Sequence, residues 1–358
     1  MKIKIITILT VISLMLGLFV GCADRDGSAD VHVFYYTYSD TYISTVRSAL
    51  DKALDGAGIK YQDHDGNNNQ TTQTEQVQTA ITKGAKLLVV NIVTTGSDDA
   101  ANGIVSLAKN AGIPVIFFNR EVSDSVVNSY EKCAFIGTDA SESGKLQGDM
   151  IGDYVLKNYE SIDLNGDGEI SYVLFMGEKG NNEAIYRTRY SVENANAKLT
   201  AAGKKALKFY DPSNSDKYLL DRDGKWSAQA ANEYMTTILS SHSTANKNMV
   251  ELIICNNDGM AEGAISALSA SGYNTGAEGA ATIPVFGVDA TSAAQELIKN
   301  GKMAGTIRQD ADGMAAALLK TVENGLGGNG LLDGMSDYNI DTDVAKVRIA
   351  YSVYLGEQ

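Results

Sequence analysis

Two periodicities alternate along this chain. Short runs rich in Val, Ile, Phe and Tyr, apolar on successive residues, are separated by polar segments whose apolar positions return every three to four residues. The runs at 31–38, 58–62, 85–93, 113–119, 132–137, 170–177, 206–211, 249–256, 283–289, 303–309 and 347–355 read as strands. The segments at 41–54, 73–84, 97–112 and 259–272 read as helices. Strands apolar on both faces must be covered on both sides, so the alternation predicts an α/β fold of parallel sheets with helices packed on each face. In such sheets ligands bind beyond the carboxyl ends of the strands, and candidate chemistry is sought there.

The ends of the predicted strands carry an excess of planar polar side chains. Asp40 and Tyr42 follow the first run, and Asn91 lies near the end of the third. Asn119, Arg120 and Glu121 follow the fourth; Asn181, Asn182, Glu183 and Arg187 follow FMGEKG. Asn256, Asn257 and Asp258 follow ELIIC; Asp289 follows PVFGV; Gln309 and Asp310 follow GTIR. Each alone is a natural helix cap, because Asp and Asn at a strand-to-helix junction satisfy free amides of the helix. Together they are the paired amides, carboxylates and guanidinium that grip neighbouring hydroxyls of a sugar, each hydroxyl being donor and acceptor at once. Flat partners for the apolar faces of a pyranose are Tyr42 and Trp226, the single Trp of the chain, which also suits ordinary packing.

Composition narrows the class. The 358 residues exceed one ordinary core and suit two domains. A formal charge of −14 without a run of Lys or Arg disfavours nucleic acid and anionic membrane surfaces. Lys2 and Lys4 precede the apolar run IITILTVISLMLGLFV, which ends at Gly21-Cys22, so residues 1–21 read as a signal peptide. Cys22 after a small residue resembles the lipidation site of bacterial lipoproteins, with residues 22–30 as a polar leash; an ordinary secretory signal or an uncleaved anchor is the alternative. Cys133 and Cys255 read as buried thiols rather than a disulfide.

DLNGDGEIS (163–171) opens like an EF-hand loop, but its twelfth position is Leu174 and not the closing Glu. A solvated acidic turn is the competing reading. GLGGNG (325–330) matches G-x-G-x-x-G but follows a helical segment, so it reads as a loop and not a dinucleotide site. His32, His64 and His242 lack zinc-like spacing, and His64, in DHDGNNN, reads as a polar surface turn.

The segments YTYSDTY, IPVIFFNRE, IGTDASESGKLQGD, DLNGDGEIS, GEKGNNEAIYR, ELIICNNDGMAEGAISAL, PVFGVDA and AGTIRQDA resemble, in order and spacing, the bacterial galactose/glucose-binding proteins. The resemblance spans nearly all of the mature chain. It implies two Rossmann-like lobes of the type I periplasmic binding protein fold, joined by a three-segment hinge near Thr138-Asp139, Gln309-Asp310 and Val347-Arg348. The lobes would be 31–138 with 310–348, and 139–309 with 349–358. The sugar contacts fall on Asp40, Asn119, Arg187, Asn257 and Asp289, and the stacking aromatics on Tyr42 and Trp226. Asn181, Glu183 and Gln309 depart from the His, Asp and Asn usual there. The resemblance also implies a structural calcium ion held by Asp163, Asn165, Asp167, the carbonyl of Glu169, and Glu251 from a distant strand. Ser171 replaces a Gln and is too short to copy its reach.

The expected activity is capture of glucose or galactose outside the cytoplasm by a lipid-tethered monomer that hands its ligand to an ABC-type permease or a chemoreceptor. The competing readings are a receptor for another ligand such as a pentose or autoinducer, a sugar-cleaving enzyme using Glu183 and Asp289, and a sugar-responsive regulator, which lacks the basic head it needs.

Overall fold

The computed structural model describes residues 29–356. The signal segment, Cys22 and most of the leash lie outside the described residues. The first sheet holds β1 (Val31–Tyr35), β2 (Tyr61–Asp65), β3 (Leu87–Val90), β4 (Val115–Phe118) and β5 (Cys133–Gly137). The second holds β6 (Ser171–Met176), β7 (Lys208–Phe209), β8 (Leu219–Leu220), β9 (Leu252–Cys255), β10 (Val285–Asp289) and β11 (Gly305–Gln309). Of the last three strands, β12 (Asn339–Ile340) and β13 (Lys346–Arg348) join the first sheet and β14 (Tyr351–Tyr354) joins the second. The orders are β12-β13-β5-β4-β3-β1-β2 and β14-β11-β10-β9-β6-β7, with β8 paired to β6. Among the described residues only β12–β13 and β11–β14 pair antiparallel.

The helices are α1 (Thr41–Gly56), α2 (Gln70–Thr82), α3 (Asp99–Ala111), α4 (Asp124–Asn128), α5 (Ala140–Ile162), α6 (Asn182–Ala201), α7 (Ala228–Leu239), α8 (Asp258–Ala270), α9 (Ser292–Lys299) and α10 (Ala311–Leu326). Side chains of β1, β3, β4, β5, β9 and β10 are buried throughout, which is why these strands appear in the sequence as unbroken apolar runs. In the second lobe, Gly144 and Gly148 let α5 approach α6 closely: a Cβ there would sit 2.4 Å from Tyr186 O and 2.5 Å from Tyr190 O.

The chain passes between the sheets after β5, after β11 and after β13. The third passage corrects the sequence reading. The apolar run 347–355 is not one strand but β13 and β14, in different sheets, divided at Ile349-Ala350. No Gly or Pro marks the break.

Three smaller readings also change. The second strand starts at Tyr61 rather than Gly58, and its polar sequence YQDHD fits its place at the edge of the sheet. His64 is not in a surface turn: its ring stacks on Phe34 at 4.6 Å, and its Nε2 lies 2.9 Å from Nδ1 of buried His32. Strands β8 and β12, of two residues each, are too short to leave a periodic signal. Cys133 and Cys255 are free and buried, and Gly325 lies in the last turn of α10, so GLGGNG closes a helix instead of opening one.

Candidate functional site

Three of the polar side chains at the strand ends do two jobs at once. Asp40 caps α1 by accepting from Ile43 N at 2.8 Å through Oδ1, while its Oδ2 accepts from the Tyr36 hydroxyl at 2.6 Å. Asn181 caps α6 through Ala184 N at 3.1 Å and reaches across with Nδ2 to Thr95 Oγ1 at 3.2 Å. Asn257 caps α8 through Met260 N at 2.9 Å and donates to Trp226 O at 3.1 Å. Capping therefore fixes these side chains at the strand ends without removing them from the cleft.

Between the lobes lies a small cavity. Tyr36, Asp40, Tyr42, Ile43, Asn119 and Arg120 line it from one lobe, and Asn181, Glu183, Arg187, Trp226, Asn257, Asp289 and Gln309 from the other. The structure thus brings together all ten residues singled out as sugar contacts. It adds Tyr36, Ile43 and Arg120. Arg120 was visible in the sequence as a strand-end cation, whereas nothing in the pattern distinguishes Tyr36 from its tyrosine neighbours.

The backbone is strained here. Asn119 (φ 59°), Trp226 (φ 55°), Asp289 (φ 125°) and Ala290 (φ 57°) are non-glycine residues at positive φ. Such conformations persist only where the surroundings hold them, and they gather at functional sites. The indole of Trp226 lies against Gly177, where a Cβ would fall 2.1 Å from Cδ2. Its Nε1 donates to Glu178 Oε2 at 3.3 Å.

Arg187 is held from behind. Its Nε donates to Ser143 Oγ, its Nη1 to Asn256 O at 2.9 Å, and its Nη2 to Gln309 Oε1 at 3.3 Å and the Tyr351 hydroxyl at 3.0 Å. Of the five N–H groups of a guanidinium, one on Nη1 remains. Burial pulls its pKa down, but Tyr351, Asp289 and Glu183 around it more than restore the charge.

Several buried atoms at the cavity have no hydrogen-bond partner among the described residues: Oε1 and Oε2 of Glu183, Nε2 of Gln309 and Nε of Arg120. Leaving such groups unpaired costs about 1–3 kcal/mol each, so they are places for a ligand's donors and acceptors. Burial raises the pKa of Glu183, opposed by Arg187. It raises Asp289 well above the usual carboxylate range, against Arg187 and with the help of Asp258 and Asp40.

The loop 163–171 joins α5 to β6. Asp163 accepts from Gly166 N and Gly168 N, and Asp167 accepts from Glu169 N. Glu251, from the segment leading into β9, reaches the loop and accepts from Leu164 N at 2.8 Å and Ser171 N at 2.9 Å. Ser171 Oγ donates to Glu251 Oε2 at 3.0 Å, so this hydroxyl orients the glutamate. The carboxylate of Glu169 is turned outward onto Lys205 and Lys208. Among the described residues no group of three or more His, Cys, Asp or Glu side chains is gathered as a metal site.

Residues 31–330 match the periplasmic binding protein domain. The chain belongs to the periplasmic binding protein domain family. It is 36% identical, over 88% of its own length and 87% of the relative's, to the D-galactose/methyl-galactoside binding periplasmic protein MglB of Haemophilus influenzae. An ABC transporter solute binding protein of Bacillus halodurans C-125 with bound myo-inositol superposes with TM-score 0.67 at 25% identity, covering 92% of this chain and 95% of that one. One of Clostridium phytofermentans with bound β-D-glucose gives TM-score 0.71 at 22% identity, over 90% and 93%, a likeness of fold. Two α/β lobes on mostly parallel sheets are the architecture of this family.

Proposed function

We propose that this chain is an extracytoplasmic receptor for a monosaccharide, D-glucose or D-galactose foremost, which closes on its ligand and delivers it to an ABC-type permease. The observation that carries the reading is the set of unpartnered buried atoms at the cavity, acceptors on Glu183 and donors on Gln309 and Arg120. Donors and acceptors side by side suit hydroxyl groups, and Tyr42 and Trp226 supply aromatic surface for the ring. The 36% identical relative named for galactose supports the choice of hexose. The myo-inositol-bound neighbour keeps cyclic polyols as the second reading.

Ligand contacts on both walls favour the closed arrangement, and periplasmic binding proteins close around their ligands by a hinge. A permease or chemoreceptor would read the closed surface. Lipidation at Cys22 is part of the same proposal and would tether the receptor to the membrane. For the loop 163–171 we infer a structural calcium ion, because its oxygen donors fit a hard cation. Asp163, Asn165, Asp167, the carbonyl of Glu169, and Glu251 would hold it, and Ser171 would steady the glutamate. The ion would supply charge neutralisation to the loop.

Calorimetry with D-glucose, D-galactose, D-ribose, D-xylose and myo-inositol tests the ligand. Micromolar binding of one of the two hexoses, with the others weaker, is the expected result. Heat from ribose, xylose or inositol alone would move the assignment to that ligand, and no binding at millimolar concentration of any would end the sugar reading.

A further inference from the structure

Arg120 occupies a position that neither helix capping nor the ten sugar contacts explain. It follows Asn119, whose left-handed backbone turns the chain at the end of β4. Its Nη2 donates to Val93 O of its own lobe at 2.7 Å and to Glu178 Oε2 of the opposite lobe at 2.7 Å. Its guanidinium lies over the ring of Tyr36, 4.3 Å from the centroid. Three anchors fix the plane, yet Nε is buried without a partner among the described residues, in a side chain that lines the cavity. The residue is 4% exposed, so water does not relieve that donor. Burial pulls the Arg120 pKa down, but Glu178 and Tyr36 outweigh it and the charge is kept.

On the reading that the cavity takes a sugar, we propose that Arg120 is a further ligand-binding residue and the latch of the closed cleft. Its Nε–H donates to a ligand oxygen while its Nη2 grips Glu178 across the lobes. One guanidinium then makes the ligand contact and the closing contact together. The grip reaches further. Glu178 Oε2, the oxygen held by Arg120, also accepts from Nε1 of Trp226, so the latch fixes the stacking indole.

The chemistry demands Arg. A planar fork can point Nε one way and Nη2 another, whereas a Lys ammonium is a single point on a flexible stem and cannot span both. Of the inter-lobe contacts lining or bordering the cleft, Asn181 to Thr95 and Asn68 to Asp223 O are neutral and at 3.2 and 3.3 Å. Arg120 to Glu178 is charged and shorter, with side chains only 5% and 18% exposed. Removing one member of so buried a pair strands the other charge, an effect that appears mainly in the dissociation rate.

The test uses the full mature chain with D-glucose and D-galactose as probes. Stopped-flow tryptophan fluorescence gives the rate constants, and small-angle scattering gives the radius with and without sugar. Arg120→Lys is expected to raise the dissociation rate by about tenfold to a hundredfold with the association rate within about threefold. Glu178→Gln should raise it by about tenfold and shift the Trp226 emission maximum. The double variant should lose clearly less than the product of the two single losses, because both disable one device. Sugar dissociation from Arg120→Lys within twofold of the parent, or fully multiplicative effects, overturns the latch while leaving the sugar reading intact. If the parent binds neither hexose, the sugar reading fails separately. The latch is then judged on the ligand-free chain, where Arg120→Lys must be more extended than the parent, and equal radii overturn it.

Discussion

The hydroxyl of Tyr351 accepts a 3.0 Å hydrogen bond from Nη2 of Arg187. Its own proton is then available to Thr138 Oγ1, 2.8 Å away. Thr138 stands at the first passage between the lobes, Tyr351 just after the third, and Gln309, which shares the same Nη2, at the second. The cavity guanidinium therefore touches chain at the second and third passages directly and is linked to the first through the Tyr351 hydroxyl. Tyr351→Phe removes a hydrogen bond to a charged group, and sugar affinity should fall about tenfold, with stability lower by about 1–3 kcal/mol. Calorimetry and urea unfolding measure the two effects. Unchanged affinity alongside reduced stability would reduce Tyr351 to a packing role.

Trp226 depends on the missing side chain at Gly177. A methyl group there would meet the indole at 2.1 Å, so the ring or the strand end must move. Gly177→Ala should weaken sugar binding by at least about tenfold, at a stability cost of about 1–3 kcal/mol, typical of overpacking. Binding equal to the parent, measured by calorimetry because the fluorescence itself changes, would mean that the indole is not a stacking surface.

Binding should release protons. Glu183 and Asp289 have raised pKa values in the ligand-free cavity, chiefly through burial. Hydroxyls donating to the carboxylates favour the ionised forms and lower those values in the complex. Affinity should thus rise with pH through the raised range and level off above it. Calorimetry in buffers of different ionisation enthalpy reads the released protons, and Glu183→Gln should reduce the count. A flat affinity profile with no proton release contradicts this expectation.

Calcium at a hundredfold excess over its dissociation constant should stabilise the parent by about 2.7 kcal/mol by mass action. Glu251→Ala should lower the melting temperature without calcium, since Glu251 holds the amides of Leu164 and Ser171. The informative quantity is the increment on adding calcium. An increment preserved in Glu251→Ala would exclude that glutamate as a ligand.

The His32–His64 pair should make the first lobe sensitive to acid. His64 is pushed down to about 4 by burial and by His32 and Lys83 beside it, and His32 is also lowered by burial. The unfolded chain takes up protons near 6.5, the folded pair only at lower pH. The pair's contribution is therefore complete above about pH 6.5 and is lost as pH falls toward 4. Raised carboxylates such as Asp258, about 7 through burial, act in the opposite sense, so the pair is isolated by difference. The melting-temperature gap between the parent and His64→Gln should shrink as pH falls through that window, and a constant gap would sink the assignment.

Much of the architecture was legible because doubly buried parallel strands cannot hide: each appears as an apolar run with polar residues clustered after it. The site was legible for the same reason, since Asp40, Asn119, Asn181, Asn257 and Asp289 all follow such runs. What escaped depends on distance in space. Glu178 and Arg120 become partners only when two lobes face each other. Tyr36 matters through its hydroxyl on Asp40 and its ring beneath Arg120. The break at Ile349-Ala350 escaped because no Gly or Pro punctuates the run where the chain leaves one sheet for the other. His64 was misread because its acidic neighbours suggested a turn, whereas its partner His32 lies a whole helix away in the chain.

The double duty of the capping residues limits how this cleft can change its ligand. Asp40, Asn181 and Asn257 each start a helix, so altering them loosens the scaffold along with the recognition. Among the described residues the Glu183 carboxylate has no hydrogen-bond partner, and Gln309 commits only its carbonyl oxygen, to Arg187. Drift toward a new sugar, in nature or by engineering, has its least obstructed route through those two positions.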